Sequence, residues 1–422
     1  MANPPFNVDE IDADKVSKDP RLPFGLPGVN KKGKVSNGNY VWISYFYSYL
    51  NARGRAGFVM SAQASSAGRD EAKVRQSLVE TDAVDIMVAV RANFFYTRTV
   101  PCELWFLDRA KPPARRDKVL MIDARTIYRK VTRKIYDFAP EQEQNLLAIV
   151  WLYRGQTQQF LDLVGAYCQR SLAETAACFA REDADGKRSA PLHDYCAAMA
   201  SLLKTLDAPA AAGEAVTLAQ EAAASLAALR GAITSFESLL AGEWAGWSAP
   251  QTGAAATELV AEQTDVADKS RELVRQVEHL SKLASRLADA ATTADAGNGN
   301  SGAGRGLAKL RKSADDARGV AVAQLKLVRY FWRQAHWLVE RFPDAVLCEV
   351  AGLVKLVDRE ELAANDWSLT PGRYVGVAPE DVDEEFDFEE TLKAIHDELE
   401  TLNTDAVEQA ATIQRNFAEL GI

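Results

Sequence analysis

The chain has 422 residues, 47% of them hydrophobic, and carries 49 Lys+Arg against 59 Asp+Glu for a net charge of −10 at pH 7. That length buries at least one full core and leaves room for a second. No apolar run reaches the ~20 residues that span a bilayer, no signal-peptide pattern opens the sequence, and five cysteines scattered without a C-x-x-C spacing suit a reducing cytoplasm.

In chain order, Asn3-Pro4-Pro5-Phe6 opens as a turn, and Lys31, Lys32 and Lys34 follow in a loop rich in glycine and proline. Helical spacing of apolar residues over 39–50 predicts a helix, with Asn51-Ala52-Arg53-Gly54 as its stop. The apolar run 55–60, an amphipathic stretch at 69–80 and a second apolar run at 83–90 predict a β–α–β unit at doubly wound α/β spacing. Two closing strands, 99–107 and 118–123, are joined by the polar turn 108–117. From 141 the pattern is helical, with breaks at Asp207-Ala208-Pro209 and at Trp244–Pro250. Leu259, Val266, Leu273, Leu280 and Leu287 recur every seven residues, so 257–345 predicts a coiled-coil hairpin with a glycine-rich turn at 297–306. A last long helix, about 388–417, repeats an apolar seam at Leu392, Ile395, Leu399, Leu402, Ala406 and Ile413, after an acidic run at 380–390. The expected fold is therefore α/β over 1–140, helical over 141–256 and 257–345, with a docking segment and long helix over 346–422.

The tetrapeptide has a chemistry of its own. An exocyclic amino group on a base is a poor nucleophile, because its lone pair is delocalised into the ring. Two acceptors aimed at its two N–H bonds favour a pyramidal nitrogen whose lone pair can meet an incoming methyl group. The Asn3 side-chain oxygen can be one acceptor and the Pro4 carbonyl the other, with the consecutive prolines stiffening the backbone that aims it. Phe6 offers a flat face to a base flipped out of a duplex, and Pro5 completes the wall. A bare Asn-Pro-Pro also occurs as a plain turn, so its context decides.

That context resembles one family. Ala2-Asn3-Pro4-Pro5-Phe6-Asn7, Asp19-Pro20-Arg21, Asn39-Tyr40-Val41-Trp42, Gly54-Arg55-Ala56-Gly57, Pro101-Cys102-Glu103-Leu104-Trp105-Phe106-Leu107 and Val119-Leu120-Met121-Ile122-Asp123-Ala124-Arg125 follow in the order seen in the modification (M) subunits of type I restriction-modification systems. The resemblance covers about 1–155 and returns in Asn365–Gly376, near the end of the chain. It implies the C-terminal half of a Rossmann-like sheet and a DNA adenine methyltransferase dependent on S-adenosylmethionine. It gives Asn3, Pro4 and Phe6 catalytic roles. It also implies partners: double-stranded DNA, a specificity (S) subunit that receives the final helix, a second M subunit, and the restriction (R) subunit. The family places a helical domain and a glycine-rich cofactor turn before the tetrapeptide. Here Met1 and Ala2 precede it, so the expectation is a sequence truncated at its amino end, with the cofactor site mostly outside this chain. The competing reading is a non-catalytic fragment that serves as a helical assembly scaffold.

The remaining signals are weighed against bland alternatives. Residues 1–140 hold 23 Lys+Arg against 15 Asp+Glu, and the rest of the chain 26 against 44. Lys31, Lys32 and Lys34, and a second cluster of Arg125, Arg129, Lys130, Arg133 and Lys134, read either as phosphate contacts or as solvated surface. Gly297-Asn298-Gly299-Asn300-Ser301-Gly302 fits G-x-G-x-x-G, but a helical pattern rather than a strand leads into it, so it reads as a hairpin turn. Cys168, Cys178, His193 and Cys196 fit no usual metal-ligand spacing, and no metal site is expected.

Overall fold

The structure is a computed structural model that describes residues 1–95, 99–132, 134–182, 185–206, 214–295 and 301–378, with isolated positions between 392 and 413. It divides into two units, Met1–Val375 and Gly376–Ile422.

The first unit is built on a five-stranded mixed sheet. After the helix α1 (Asn39–Ser48) come strand β1 (Arg55–Ser61), helix α2 (Arg69–Glu80) and strand β2 (Val84–Val90). Strand β3 (Cys102–Asp108) then runs antiparallel between β1 and β2, pairing Ser61 with Cys102 and Val90 with Cys102. Strand β4 (Lys118–Asp123) lies parallel to β2, with Val88 opposite Ile122. A small hairpin, β5 (Arg129–Thr132) and β6 (Ile135–Asp137), follows it. Helices α3 (Pro140–Tyr153) and α4 (Thr157–Ala177) lead into the helical region, made of α5 (Pro191–Leu206), α6 (Glu214–Gly246), α7 (Gly253–Glu262), α8 (Thr264–Asp295) and α9 (Ser301–Arg341). The chain then returns to the sheet. Strand β7 (Val354–Asp358) pairs antiparallel with β4, and α10 (Arg359–Ala364) follows. The sheet order is β7-β4-β2-β3-β1, so the strand that the sequence analysis set in a separate docking segment is an edge of the sheet.

Both faces of the sheet are covered, which explains why β2 is buried along its whole length. On one face Phe58, Met60, Met87, Trp105 and Met121 pack with Tyr40 and Ile43 of α1 and Val74 and Leu78 of α2. On the other, Ile86, Val88, Leu120 and Ile122 meet α3, α4, α7 and the carboxyl half of α9 through Ile149, Phe160, Val260, Leu338 and Phe342. The amino half of α9 belongs to a second core with α5, α6 and α8, where Tyr195, Phe236, Leu273, Val277, Leu280, Ala321 and Leu325 meet. At 41 residues, α9 is roughly 60 Å long, long enough to serve both cores.

From Val266 onward the heptad seam is buried where α8 packs against α9, with α5 and α6 closing the same core, while Leu259 lies in α7 and the first core. Residues 301–306, expected as part of the turn, are the first turns of α9, and 296–300 and the break expected at 207–209 lie outside the described residues. A cavity of about 270 Å³ opens between α5, α8 and α9, bounded by Met199, Ser281, Ser285, Arg311 and Asp315 among others. Among the described residues no helix is long and apolar enough to cross a membrane.

In the second unit the described positions Leu392, Ile395, Leu399 and Ile413 are helical and about half exposed. His396, Asn403, Ala406, Val407, Gln409 and Ala410 are helical and exposed as well, and the remaining positions of the predicted final helix and the acidic run at 380–390 lie outside the described residues.

Candidate active site

The opening residues are fastened to the sheet before they leave it. Ala2 lies parallel to Phe58, its N–H donating to the Gly57 carbonyl (3.0 Å) and its carbonyl accepting from Val59 N–H (3.1 Å). This single residue pairs with the middle of β1, three residues before its last residue Ser61, and the chain then runs parallel to β1 through Asn3-Pro4-Pro5 toward the edge where β1, β2 and β4 end. Ligand sites of open α/β sheets lie at that carboxyl edge. Asn3 and Pro5 are exposed, Pro4 is buried and Phe6 is half-buried.

A cluster of three amides then holds the far side of the turn. Asn7 has φ +54°, a conformation that asparagine tolerates better than most residues. Its backbone N–H donates to Asn39 Oδ1 (2.8 Å), and its own Oδ1 accepts from Asn39 Nδ2 (2.9 Å) and Asn37 Nδ2 (3.1 Å). Gly38 N–H donates to the Val8 carbonyl (2.7 Å). A Cβ at Gly38 would stand 3.0 Å from that oxygen and 2.9 Å from Ile11 Cδ1, so any larger residue would have to push the Val8 carbonyl and the Ile11 side chain away. The tetrapeptide is therefore held at Ala2 by β1 and at Asn7–Val8 by the start of α1.

The three loop lysines separate. Asn30 Oδ1 accepts from the Lys32 and Lys34 N–H groups (2.9 and 3.1 Å), forming a tight turn with Lys31 and Lys32 exposed on it. Lys34 instead pairs with Asp12 at 3.2 Å, and its hydrogen bond holds the Asp12 carboxyl below the usual range. Asp19-Pro20-Arg21 is a local brace: Arg21 grips Asp19 in a fork, lies 4.5 Å above the Tyr45 ring and donates to Tyr49 Oη (2.9 Å).

Further polar groups gather on one face of the sheet near the same edge. Glu103 is 1% exposed, its Oε2 has no hydrogen-bond partner, and burial pushes its carboxyl up to about 8, against the opposing pull of Ser65 and Arg125. Asp123, at the end of β4, is forked by Arg125 (2.5–3.0 Å). The segment 366–374 closes over these groups. Ser65 Oγ and Thr370 Oγ1 share a hydrogen bond (2.7 Å), and Leu369 N–H donates to the Ser65 carbonyl (2.8 Å). A Cβ on Gly372 would stand 2.5 Å from Arg125 Nη2. Arg75, 2% exposed, donates to the carbonyls of Ala67 (2.6 Å), Trp367 (2.7 Å) and Asp366 (3.1 Å) and to Tyr40 Oη (3.2 Å). Asp366–Tyr374, which the sequence analysis set within the docking segment 346–422, is thus packed onto the sheet, with Leu369 fully buried.

The cysteines raised as metal ligands are core residues. Cys168, Cys178 and Cys196 are buried, and burial pushes the first two thiols up to about 12. Among the described residues no group of three or more His, Cys, Asp or Glu is placed to hold a metal ion.

Residues 1–170 match the family described as N-6 DNA Methylase. The methylase subunit of the type I restriction enzyme MjaIX from Methanocaldococcus jannaschii is 41% identical over 138 residues, 32% of this chain and 24% of that protein. That of HindI from Haemophilus influenzae is 30% identical over 175 residues, 41% and 37% of the two chains. The resemblance to type I methylase subunits therefore stands. A solved methyltransferase subunit of a type I restriction-modification system from Streptococcus thermophilus superposes with a TM-score of 0.30 at 21% identity, over 34% of this chain and 29% of that one. The present chain spans only about a quarter to somewhat over a third of the length of these two relatives.

Proposed function

We propose that this chain carries the target-base side of an adenine-specific DNA methyltransferase, as part of the modification subunit of a type I restriction-modification system. The observation that carries the reading is the Asn3–Phe6 turn at the carboxyl edge of the sheet, pinned on both sides, within the stretch that matches the N-6 DNA methylase family. Asn3 Oδ1 and the Pro4 carbonyl accept the two N–H bonds of the adenine amino group, favouring a nucleophilic nitrogen. Phe6 stacks on the flipped base, with Pro5 beside it. Lys31 and Lys32, exposed on the turn that leads back to Asn39, meet DNA phosphates; Lys34, paired with Asp12, shapes that turn.

S-adenosylmethionine, when bound, supplies the electrophilic methyl group. Among the described residues no glycine-rich turn joins a strand to a helix beside Asn3, so no residue of this chain is assigned to holding it. The outer edge of β1, bridged by Ala2 at Phe58, is where a further strand would pair. The finer assignment of the sheet as half of a Rossmann-like methyltransferase sheet belongs to the same proposal. The half-exposed helical positions Leu392, Ile395, Leu399 and Ile413 support docking of the last helix on a specificity subunit that also binds a second M subunit.

The test is methyl transfer from labelled cofactor to adenine-containing duplex, by the chain reconstituted with a cofactor-binding partner segment and a specificity subunit. Asn3→Ala should lower the rate by at least about 10²-fold, the scale for losing one preorganised partner of the reacting group. Full activity in that variant would overturn the assignment.

A further inference from the structure

The hairpin β5–β6 has a root unlike that of an ordinary surface loop. It leaves the carboxyl end of β4, and all four residues of β5 are exposed, including Val131 at 44%. Just past the end of β2, the Arg91 guanidinium lies between two rings of the hairpin, 3.9 Å from the Tyr128 centroid and 3.6 Å from that of Tyr136. The two rings also meet edge to face at 5.2 Å. Tyr136 N–H donates to the Asn93 carbonyl (3.2 Å), so backbone and side chain both tie the hairpin to the loop after β2.

The charge on the hairpin is one-sided. Residues 128–138 hold four basic residues and one acidic. The acidic one, Asp137, is gripped by Arg129 in a two-point contact (2.9 and 2.7 Å), whose hydrogen bonds hold its carboxyl below the usual range. Lys130 and Lys134 are exposed beyond that pair. A guanidinium in the corner of two nearly perpendicular rings is a stiff joint, because both rings attract the cation and the two contacts together fix its position.

The position suits a duplex. Along the sheet, β2 lies three strand spacings from Ala2 and β4 four, or roughly 15–20 Å at ~4.8 Å per strand. At ~3.4 Å per base pair that is about four to six base pairs of DNA axis.

We propose that β5–β6 is a phosphate-contacting arm, held by the Arg91 stack, in which Lys130 and Lys134 meet the DNA backbone a few base pairs from the base at Asn3. The proposal rests on the DNA reading above and adds the surface that positions the duplex.

The test is binding of the full chain to a labelled 25-base-pair duplex by fluorescence anisotropy between 50 and 200 mM salt. Replacing Lys130 and Lys134 together with alanine should lower the slope of log K against log[salt] by about 1.8, at ~0.9 per phosphate contact. If the curves converge at 1 M salt, that is a loss of roughly 60-fold at 0.1 M. Arg91→Lys keeps the charge and removes the planar stack, so it should weaken binding with its unfolding temperature within a few degrees of the parent. An unchanged slope in the double variant overturns the arm and leaves the methylation reading standing. A parent chain that binds no duplex at 50 mM salt also overturns the arm, and leaves the methylation reading to the reconstituted assay.

Discussion

The amide cluster that fastens Asn7 to Asn39 can be tested by exchanging a single atom. In Asn39→Asp, Oδ1 still accepts the Asn7 N–H, but the donor that faced Asn7 Oδ1 at 2.9 Å becomes a second oxygen. Turning the Asn7 amide over does not relieve this, because Asn37 Nδ2 already donates to the same Asn7 oxygen. Asn39 is 1% exposed, so water cannot substitute. Losing a buried hydrogen bond and leaving an acceptor unpaired costs about 1–3 kcal/mol, and more if the new carboxylate ionises there. Burial and the facing oxygen raise the pKa of that carboxyl in the folded state. Its penalty is therefore small at low pH and grows as pH rises through the folded-state pKa. Asn39→Ala, which leaves the Asn7 N–H unpaired, should cost about 1–3 kcal/mol at every pH. Urea denaturation of the three proteins at pH 5 and pH 8, with hydrogen exchange at the Asn7 amide, reads both effects. An aspartate variant as stable as the parent at pH 8, or an alanine variant with the same pH dependence as the aspartate one, would refute the clamp. Activity should fall further than stability, since displacing a positioning group by ~1 Å can cost ~10²-fold.

Two further outcomes follow from the buried polar groups near the sheet edge. Glu103 is held neutral in the fold with its carboxyl at about 8. The parent should therefore lose stability relative to Glu103→Gln as pH rises from about 5 to about 8, by up to ~1.4 kcal/mol per unit; parallel urea midpoints for the two proteins over that range would contradict the burial. Arg75→Lys cannot reproduce the fork that reaches the Ala67, Trp367 and Asp366 carbonyls. It should destabilise by about 2–4 kcal/mol and open 366–374 to limited proteolysis, whereas a parent-like digestion pattern would show that the segment is held by other contacts.

Helices α1 and α2 and strands β1 to β4 were legible because each carries its own periodicity, whereas the two-residue strands Ile11–Asp12 and Lys34–Val35 are too short to carry one. What escaped the sequence depends on partners far away in the chain. Asn39 reads as the first residue of a helix, and its clamp appears only when Asn7, 32 positions earlier, is folded against it. Glu103 sits in an apolar strand run, and its burial follows from β1 and β2 pairing on either side of β3. Val354–Asp358 is five residues long with two charges, too short to be recognised as an edge strand without β4, which precedes it by more than 200 positions. The glycines at 302, 304 and 306 signal a turn, yet they continue a helix. Their intrinsic cost, about 1 kcal/mol each, is opposed by the packing of α9 from Leu307 onward against the second core.

The division of charge assigns the ends of the chain to different kinds of partner. Residues 1–140 carry a surplus of eight positive charges, whereas 376–422 hold two basic residues against fourteen acidic ones. Four acidic groups of the basic end are paired with basic neighbours: Asp12 with Lys34, Asp19 with Arg21, Asp123 with Arg125 and Asp137 with Arg129. Lys31 and Lys32 lie outside these pairs, exposed on their turn. At physiological salt a field decays over ~8 Å, so a polyanion responds to the charges it touches and not to the net −10. On the proposed reading, duplex DNA is drawn to the tetrapeptide end and repelled by the carboxyl-terminal unit, whose half-exposed Leu392, Ile395, Leu399 and Ile413 offer an apolar contact that a protein helix can bury and a nucleic acid cannot.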